Sequence, residues 1–406
     1  DVYKRQLIRI YCNTTSLKIL LGMALIQPFF SCLQMIVPVP PPEDILSGTL
    51  IENRVIPANT TITLDGTVKV PNGITLSIEQ GVTIKANNSD AILDVLYVLP
   101  GGTINAIGTA SNPIVFTSGK ITGTRAPRDW GGIQILGRAN IPGDTATAEG
   151  TTDTYGGNDD NDSSGTLRYV RIEFAGYKFS DEVEFNGLGL FGVGNGTTIE
   201  YVQVHLGQDD GIEMFGGSVH LKWIVATGNG DDQIDCASGW RGHISNAISI
   251  AVGNSRAIEF DGDKGTEDLN SEVTVNNLFA LCNAPGGGNS DATRFRQGGI
   301  YKVYNSYFAL NNDGGNNQVI EVAGNGSTML THSNVKVQSS GDLANVFMIE
   351  AGTTYTGQNV TTNASLANNG FLFRMPTSVS DILPANTRSV FQSNTWAMDW
   401  TAFPAN

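Results

Sequence analysis

The sequence predicts an all-β chain wound as a single-stranded, right-handed parallel β-helix, and three observations predict it. An apolar–acid–apolar triplet recurs as Ile212-Glu213-Met214, Ile234-Asp235-Cys236 and Ile258-Glu259-Phe260, at intervals of 22 and 24 residues. Further copies stand at Val183-Glu184-Phe185, Ile320-Glu321-Val322 and Ile349-Glu350-Ala351. Alternation with period two is a strand pattern that puts the acid on the face opposite its neighbours. A strand returning every twenty to thirty residues marks a solenoid. The second observation is a short apolar alternation ahead of the triplets: Val170-Ile172-Phe174, Val202-Val204-Leu206, Ile224-Ala226, Ile248-Ile250 and Leu278-Ala280. Each repeat therefore reads strand, turn, strand, turn, with no room for a helix, and each strand pairs with its copy one coil away. An antiparallel sandwich would also give short strands, but not a triplet register persisting from Val183 to Ala351. The third observation is composition. Of 406 residues 48 are Gly and only 16% are charged, which suits a fold with a tight corner at every strand end. Each coil touches only its neighbours, so one domain of this length needs no division.

In chain order, residues 1–6, DVYKRQ, resemble a translated sequencing-adaptor remnant. Residues 7–31 read as a signal peptide. Arg9 and Lys18 precede a mostly apolar run, Ile19 to Phe30, which is too short to span a bilayer but suits a signal core. Phe29-Phe30-Ser31-Cys32 resembles a bacterial lipobox, with Cys32 the lipidated first mature residue. Residues 32–47 contain the stiff VPVPPPED stretch and form a tether. The helix is expected over 48–395, starting with short strands around Leu64, Val68 and Leu76. Almost nothing between Pro142 and Gly165 is apolar, so this segment is an inserted loop on one coil. Residues 396–406 are aromatic-rich and read as a C-terminal cap over the open end of the solenoid.

The formal net charge is −15. That field repels phosphate and excludes nucleic acid as a partner, while it favours cations. Cys236 alternates inward in a triplet and Cys282 ends a strand, so both read as small core residues. The chain is expected to be a monomer.

The stretches LDGTVKVPNG, LPGGTINAIGTASNPIVFTS, RDWGGIQILG, YGGNDDNDSSGTLRYVRIEFAG, DDGIEMFGG, GWRG and WTAFP resemble a family of bacterial outer-membrane surface lipoproteins, of the Bacteroidetes and spirochaete type and leptospiral-like. The resemblance runs from about Gly48 to the C-terminus. It implies a pectin-lyase-like β-helix, export and a cell-surface location; the family has no firmly assigned reaction.

Candidate sites follow from the acids. Glu184, Glu213, Asp235 and Glu259 are expected to stack on the outside, with Glu213, Asp235 and Glu259 as a ligand-facing edge and Arg294-Phe295-Arg296 one coil on. Like charges one strand apart destabilise unless paired or cation-bound. The turns add Asp209-Asp210 and Asp231-Asp232, again 22 apart. Oxygen ligands at this density suit Ca²⁺, although Asp also builds turns without a metal. Arg241 and Lys264 are the nearest candidates to neutralise them. The inserted loop holds Asp160, Asp162 and Ser164 in a D-x-D-x-S-G run, which opens like a calcium loop. Arg171 stands where an EF-hand needs its last acid, so only a non-EF calcium loop fits.

Two functions are open at this point. One is a non-catalytic, calcium-dependent scaffold for a polysaccharide or a host or matrix ligand. The other is a polysaccharide hydrolase or lyase, with Asp210, Asp231 and Asp232 as its acids. His243 follows Asp232 by only half a coil and is expected to face another side.

Overall fold

The chain was described by a computed structural model covering residues 44–180, 183–253, 255–262, 269–284, 291–312, 318–323, 328–339, 347–349, 354–358, 361–362 and 400–401. All of these belong to the second of the chain's two units, Glu43–Asn406. Cys32, Asp263, Lys264 and Glu350 lie outside the described residues.

The parallel β-helix is present. Among the described residues, 27 strands join one sheet, and two antiparallel hairpins stand outside it. Each coil carries three strands rather than the two read from the sequence. The first stack includes Ile133–Leu136, Leu188–Phe191, Ile212–Phe215, Ile234–Ala237, Ile258–Asp261, Thr293–Arg296 and Ile320–Val322. The second and third stacks share long strands, Gly165–Glu173, Thr198–His205, His220–Thr227, His243–Val252 and Glu272–Ala284. Their two halves are separated by a single corner residue, which is why they read as one strand.

That corner residue is left-handed in seven successive coils: Tyr169, Tyr201, Trp223, Asn246, Asn277, Asn305 and Asn334 all have φ between 48° and 61°. A non-glycine residue here costs free energy unless the neighbours hold it. The corners hold one another by stacking along the axis. Tyr169 and Tyr201 have ring centroids 4.4 Å apart and Tyr201 and Trp223 5.6 Å apart, both near-parallel. Then Asn277 Nδ2 donates to Asn246 Oδ1 at 2.6 Å, and Asn334 Nδ2 to Asn305 Oδ1 at 2.7 Å.

The interior is a single column of inward-facing residues in which Ile212, Ile234 and Ile258 follow one another, with Cys236, Cys282, Trp130 and Trp240 fully buried among them. Outside it lie two smaller apolar clusters. One, against the first stack, joins Tyr97, Phe191 and Phe215 to Ile141, to Ala148 and Tyr155 of the inserted loop and to Phe185. The other, on the third stack, contains Val225, Ile248, Ile250, Phe279 and Trp400.

Four expectations need correction. Val183-Glu184-Phe185 is not a rung: it forms a hairpin with Tyr177–Ser180, and Leu188-Gly189-Leu190 takes the rung instead. In the last copy Met348, not Glu350, pairs with Glu321, because the strand is Phe347–Ile349. Ala247 rather than Ile248 is in register with Ile224. That strand is apolar on both faces, so alternation alone does not say which set points inward. Finally, Trp400 lies not over the end of the helix but against the third stack, 6.0 Å from the ring of Tyr169 and 6.1 Å from that of Tyr201. Arg171 Nη1 donates to the Thr401 carbonyl at 3.1 Å.

Candidate functional site: an acidic face on the first stack

Glu213, Asp235 and Glu259 occupy one outward row of the first stack, on adjacent strands. The row continues through Arg294 and Glu321. Ahead of each strand, the turn from the third stack brings Asp209 and Asp210, then Asp231 and Asp232, beside the row. Their carboxylates are partly turn-builders: Asp210 Oδ1 accepts the Asp232 N–H and Asp232 Oδ1 the Arg256 N–H, each at 2.7 Å.

The face divides into two sectors. In the later one the acids are matched. Glu259 accepts Arg256 Nη1 at 2.7 Å and Arg296 Nη2 at 2.6 Å, with Arg294 Nη1 at 3.6 Å. Arg294 also pairs with Glu321 and Arg296 with Asp261. Burial works to raise Glu259, but the hydrogen bond from Asp232 and the three guanidiniums hold it below the ordinary carboxylate range. In the earlier sector, none of Asp209, Asp210, Glu213 or Asp235 has an ion pair with a Lys or Arg among the described residues. Arg241 does not serve this edge, since it pairs with Asp160 at 3.0 Å.

The unmatched carboxylates crowd together. One oxygen each from Asp210, Glu213 and Asp235 lie within 4.8 Å of one another, and so do those of Asp209, Asp210 and Asp231. The two hairpins stand over this sector. Glu184 adds its charge to Asp209, and Glu149 of the inserted loop adds its own to Glu213. Burial first, and then these neighbouring charges, push Asp209 up to about 8. Burial first, and then the neighbouring carboxylates of the cluster, hold Asp210, Glu213 and Asp235 well above the carboxylate range. Burial raises Glu149 to about 7. Asp232 is raised by burial and by Glu259, with which it shares a hydrogen bond.

Two buried amide oxygens at the head of this sector have no hydrogen-bond partner among the described residues: Gln134 Oε1 and Asn186 Oδ1, in side chains each 1% exposed. Asn186 Nδ2 donates to Glu213 Oε2 at 2.6 Å, so the amide belongs to the cluster. Gln134 sits two rungs before Glu213 in the same row, with Gly189 between them. A Cβ at Gly189 would fall 2.1 Å from Gln134 Oε1, so the missing side chain makes the room that this oxygen fills. Sequence reading missed all three residues. Gly189 was the signal, a glycine in mid-strand where the row otherwise carries acids.

The donor set is carboxylate and amide oxygen, with no imidazole or thiolate, which suits a hard cation such as Ca²⁺. In the inserted loop, Asp160, Asp162 and Ser164 make contacts of their own, and the buried Ser164 Oγ has no hydrogen-bond partner among the described residues. Asp160 Oδ1 accepts the Asn140 N–H and Asp162 Oδ2 the Arg138 N–H, at 3.0 and 2.9 Å, and the Ser164 N–H goes to Thr197 Oγ1. These are contacts that fasten the inserted loop. His243 lies on the second stack, on another face of the helix.

The raised groups set a pH dependence in the cation-free protein. The folded chain keeps protons on Asp209 and Glu149 up to about 8 and about 7, while the unfolded chain loses them near pH 4. The folded state then binds more protons, so stability falls as pH rises through this window. Glu259 has the opposite sign, but its contribution is lost only below its ordinary range. In chelator, the urea midpoint should drop between about pH 5 and about pH 8. A midpoint that holds or rises would show that these acids are not protonated in the fold.

The sequence matches the family described as a pectate-lyase-like β-helix domain over residues 48–401. No curated protein matches it. Among solved structures, the Dettilon tailspike protein is similar at 12% identity over 75% of this chain and 62% of that one, with a TM-score of 0.32. The enzymatically active domain of bacteriophage CBA120 tailspike protein 2 is similar at 12% identity over 80% and 47%, with a TM-score of 0.24. The chain spans less than two thirds of the length of either.

Proposed function

Since the chain belongs to the family of pectate-lyase-like β-helix domains, we propose that it is a non-catalytic polysaccharide-binding scaffold whose acidic face works through a bound calcium ion. One observation carries this reading: the 4.8 Å limit on the oxygens of Asp210, Glu213 and Asp235. Ligand oxygens at about 2.3–2.6 Å from one Ca²⁺ lie at most about 4.6–5.2 Å from one another, so three oxygens within 4.8 Å fit around one ion. Carboxyls that flank a glycosidic bond stand about 5–9.5 Å apart, to leave room for the sugar and a water. Gln134 and Asn186 supply neutral oxygens that otherwise have no partner among the described residues, and Asp231 lies exposed at the edge, where a ligand hydroxyl can reach the ion.

The second reading, a depolymerase, is favoured by Asp232 and Glu259, whose proton affinities are pushed apart as an acid and a base require. Their shared hydrogen bond puts them too close to hold a glycosidic bond between them. A polysaccharide panel with calcium and with chelator separates the readings. Calcium-dependent retention of an unaltered polymer is the expected result. New reducing ends or unsaturated products would establish the enzyme instead.

The scaffold is proposed to be exported and tethered to an outer membrane, at the cell surface, by lipid on Cys32. The support is the apolar run Ile19 to Phe30 followed by Ser31-Cys32. Mass spectrometry should find a diacylglyceryl group on Cys32, and Cys32→Ala should move the protein from the membrane to the soluble fraction. An unmodified wild type in the soluble fraction would remove the anchor.

A further inference from the structure

A second recess lies on a different face, on the outer side of the second stack, with a volume of about 590 Å³. That is within the range of small-ligand sites. One outward row runs Lys222, Ser245, Asn276, Tyr304, Ser333 through successive strands. Steps of about 4.8 Å separate them. Lys222 and Tyr304 stand tall, with Ser245 and Asn276 as the low floor between them. Beside it runs a row in which His220 and His243 precede Thr274.

The chemistry of this groove is neutral. Lys222 is 3.6 Å from Glu200, and Lys302, on the neighbouring rung, is 2.6 Å from Glu272. Each lysine of the face thus has its carboxylate. The His243 backbone N–H donates to His220 Nδ1 at 3.3 Å, which places the proton of the neutral ring on Nε2. The two imidazoles meet edge to face, 4.6 Å between centroids. Burial, then His243 and Lys222, lower the proton affinity of His220, so the ring stays uncharged near neutral pH. What the groove offers is therefore hydroxyls, amides, an imidazole donor and the faces of Tyr304 and His243. Alternating hydrogen-bond groups with apolar ring faces complement a sugar. The one lysine among the described residues that line the groove, Lys222, already faces a carboxylate, so an acidic sugar or a phosphate would meet no unmatched cation there.

We infer that this groove is a cation-independent binding site for a neutral stretch of polysaccharide, laid along the helix axis over Ser245 and Asn276. It is separate from the acidic face and does not rest on the calcium reading.

The test is affinity electrophoresis of the purified protein in EDTA through gels containing dextran, mannan, galactan or polygalacturonate. At least one neutral polymer should retard the wild type. Tyr304→Ala should weaken that retardation about tenfold, and Ser245→Arg, which fills the trough from an outward position, should abolish it. Asp210→Asn with Asp235→Asn should leave it unchanged, so that loss of the acidic face and loss of the groove are told apart. The proposal is overturned if no neutral polymer retards the protein in EDTA, if polygalacturonate is preferred, or if both groove variants, shown by circular dichroism to be folded, bind as the wild type does.

Discussion

Trp240→Ala should destabilise the helix by about 3–5 kcal/mol, the cost of emptying a large, fully packed aromatic site. Trp240 is 0% exposed, donates Nε1–H to the Val219 carbonyl at 3.1 Å and meets Phe260 edge to face. It plugs the turn between the first and second stacks, so its loss removes apolar contact and leaves the Val219 carbonyl without its donor. Urea denaturation of wild type and variant at one pH measures the difference. A loss below about 1 kcal/mol would mean that the coil closes over the gap, contrary to the close packing of such interiors.

Calcium should have the second large effect. A ligand that binds only the folded chain stabilises it by about 2.7 kcal/mol at a hundred times its dissociation constant. The melting temperature should rise by several degrees with calcium and fall back with chelator. Asp210→Asn with Asp235→Asn should abolish the response. The same pair should leave the calcium-free protein as stable as wild type or more so at about pH 8, because it removes repulsion between buried charges. A purely structural role for these acids predicts the reverse, a destabilised variant and no calcium response in either protein.

Much of this was legible in the chain. Ile212-Glu213-Met214 and its next two copies gave the fold and the row, because each rung has a dry face and a polar face and the period-two pattern reports that directly. Glu184 was misplaced because a hairpin strand over an apolar cluster, with Phe185 turned into it, writes the same pattern as a rung. Gly189 was passed over because a rung without an acid looks like a turn. The second stack was hidden by its one-residue corner. A left-handed Tyr169 or Trp223 has no sequence signature, although the four Asn corners that follow do favour that conformation. The neutralising partners were misassigned for a related reason. Arg241 is near Asp232 in sequence, but half a coil carries it to Asp160, while Arg256, one rung on, reaches Glu259. Gln134 and Asn186 could not be read at all, since an amide oxygen becomes a candidate ligand only once the fold has buried it without a partner.

The account rests on the claim that the unmatched carboxylates of the first stack form a cation site. Isothermal titration of calcium into the chelator-stripped protein tests it most directly, run at about pH 6 in two buffers of different ionisation enthalpy. Binding is predicted, with a heat that differs between the buffers, because Asp210, Glu213 and Asp235 must release protons to take up the ion. No heat of binding in the wild type, or an equal response in the Asp210→Asn, Asp235→Asn protein, would contradict it.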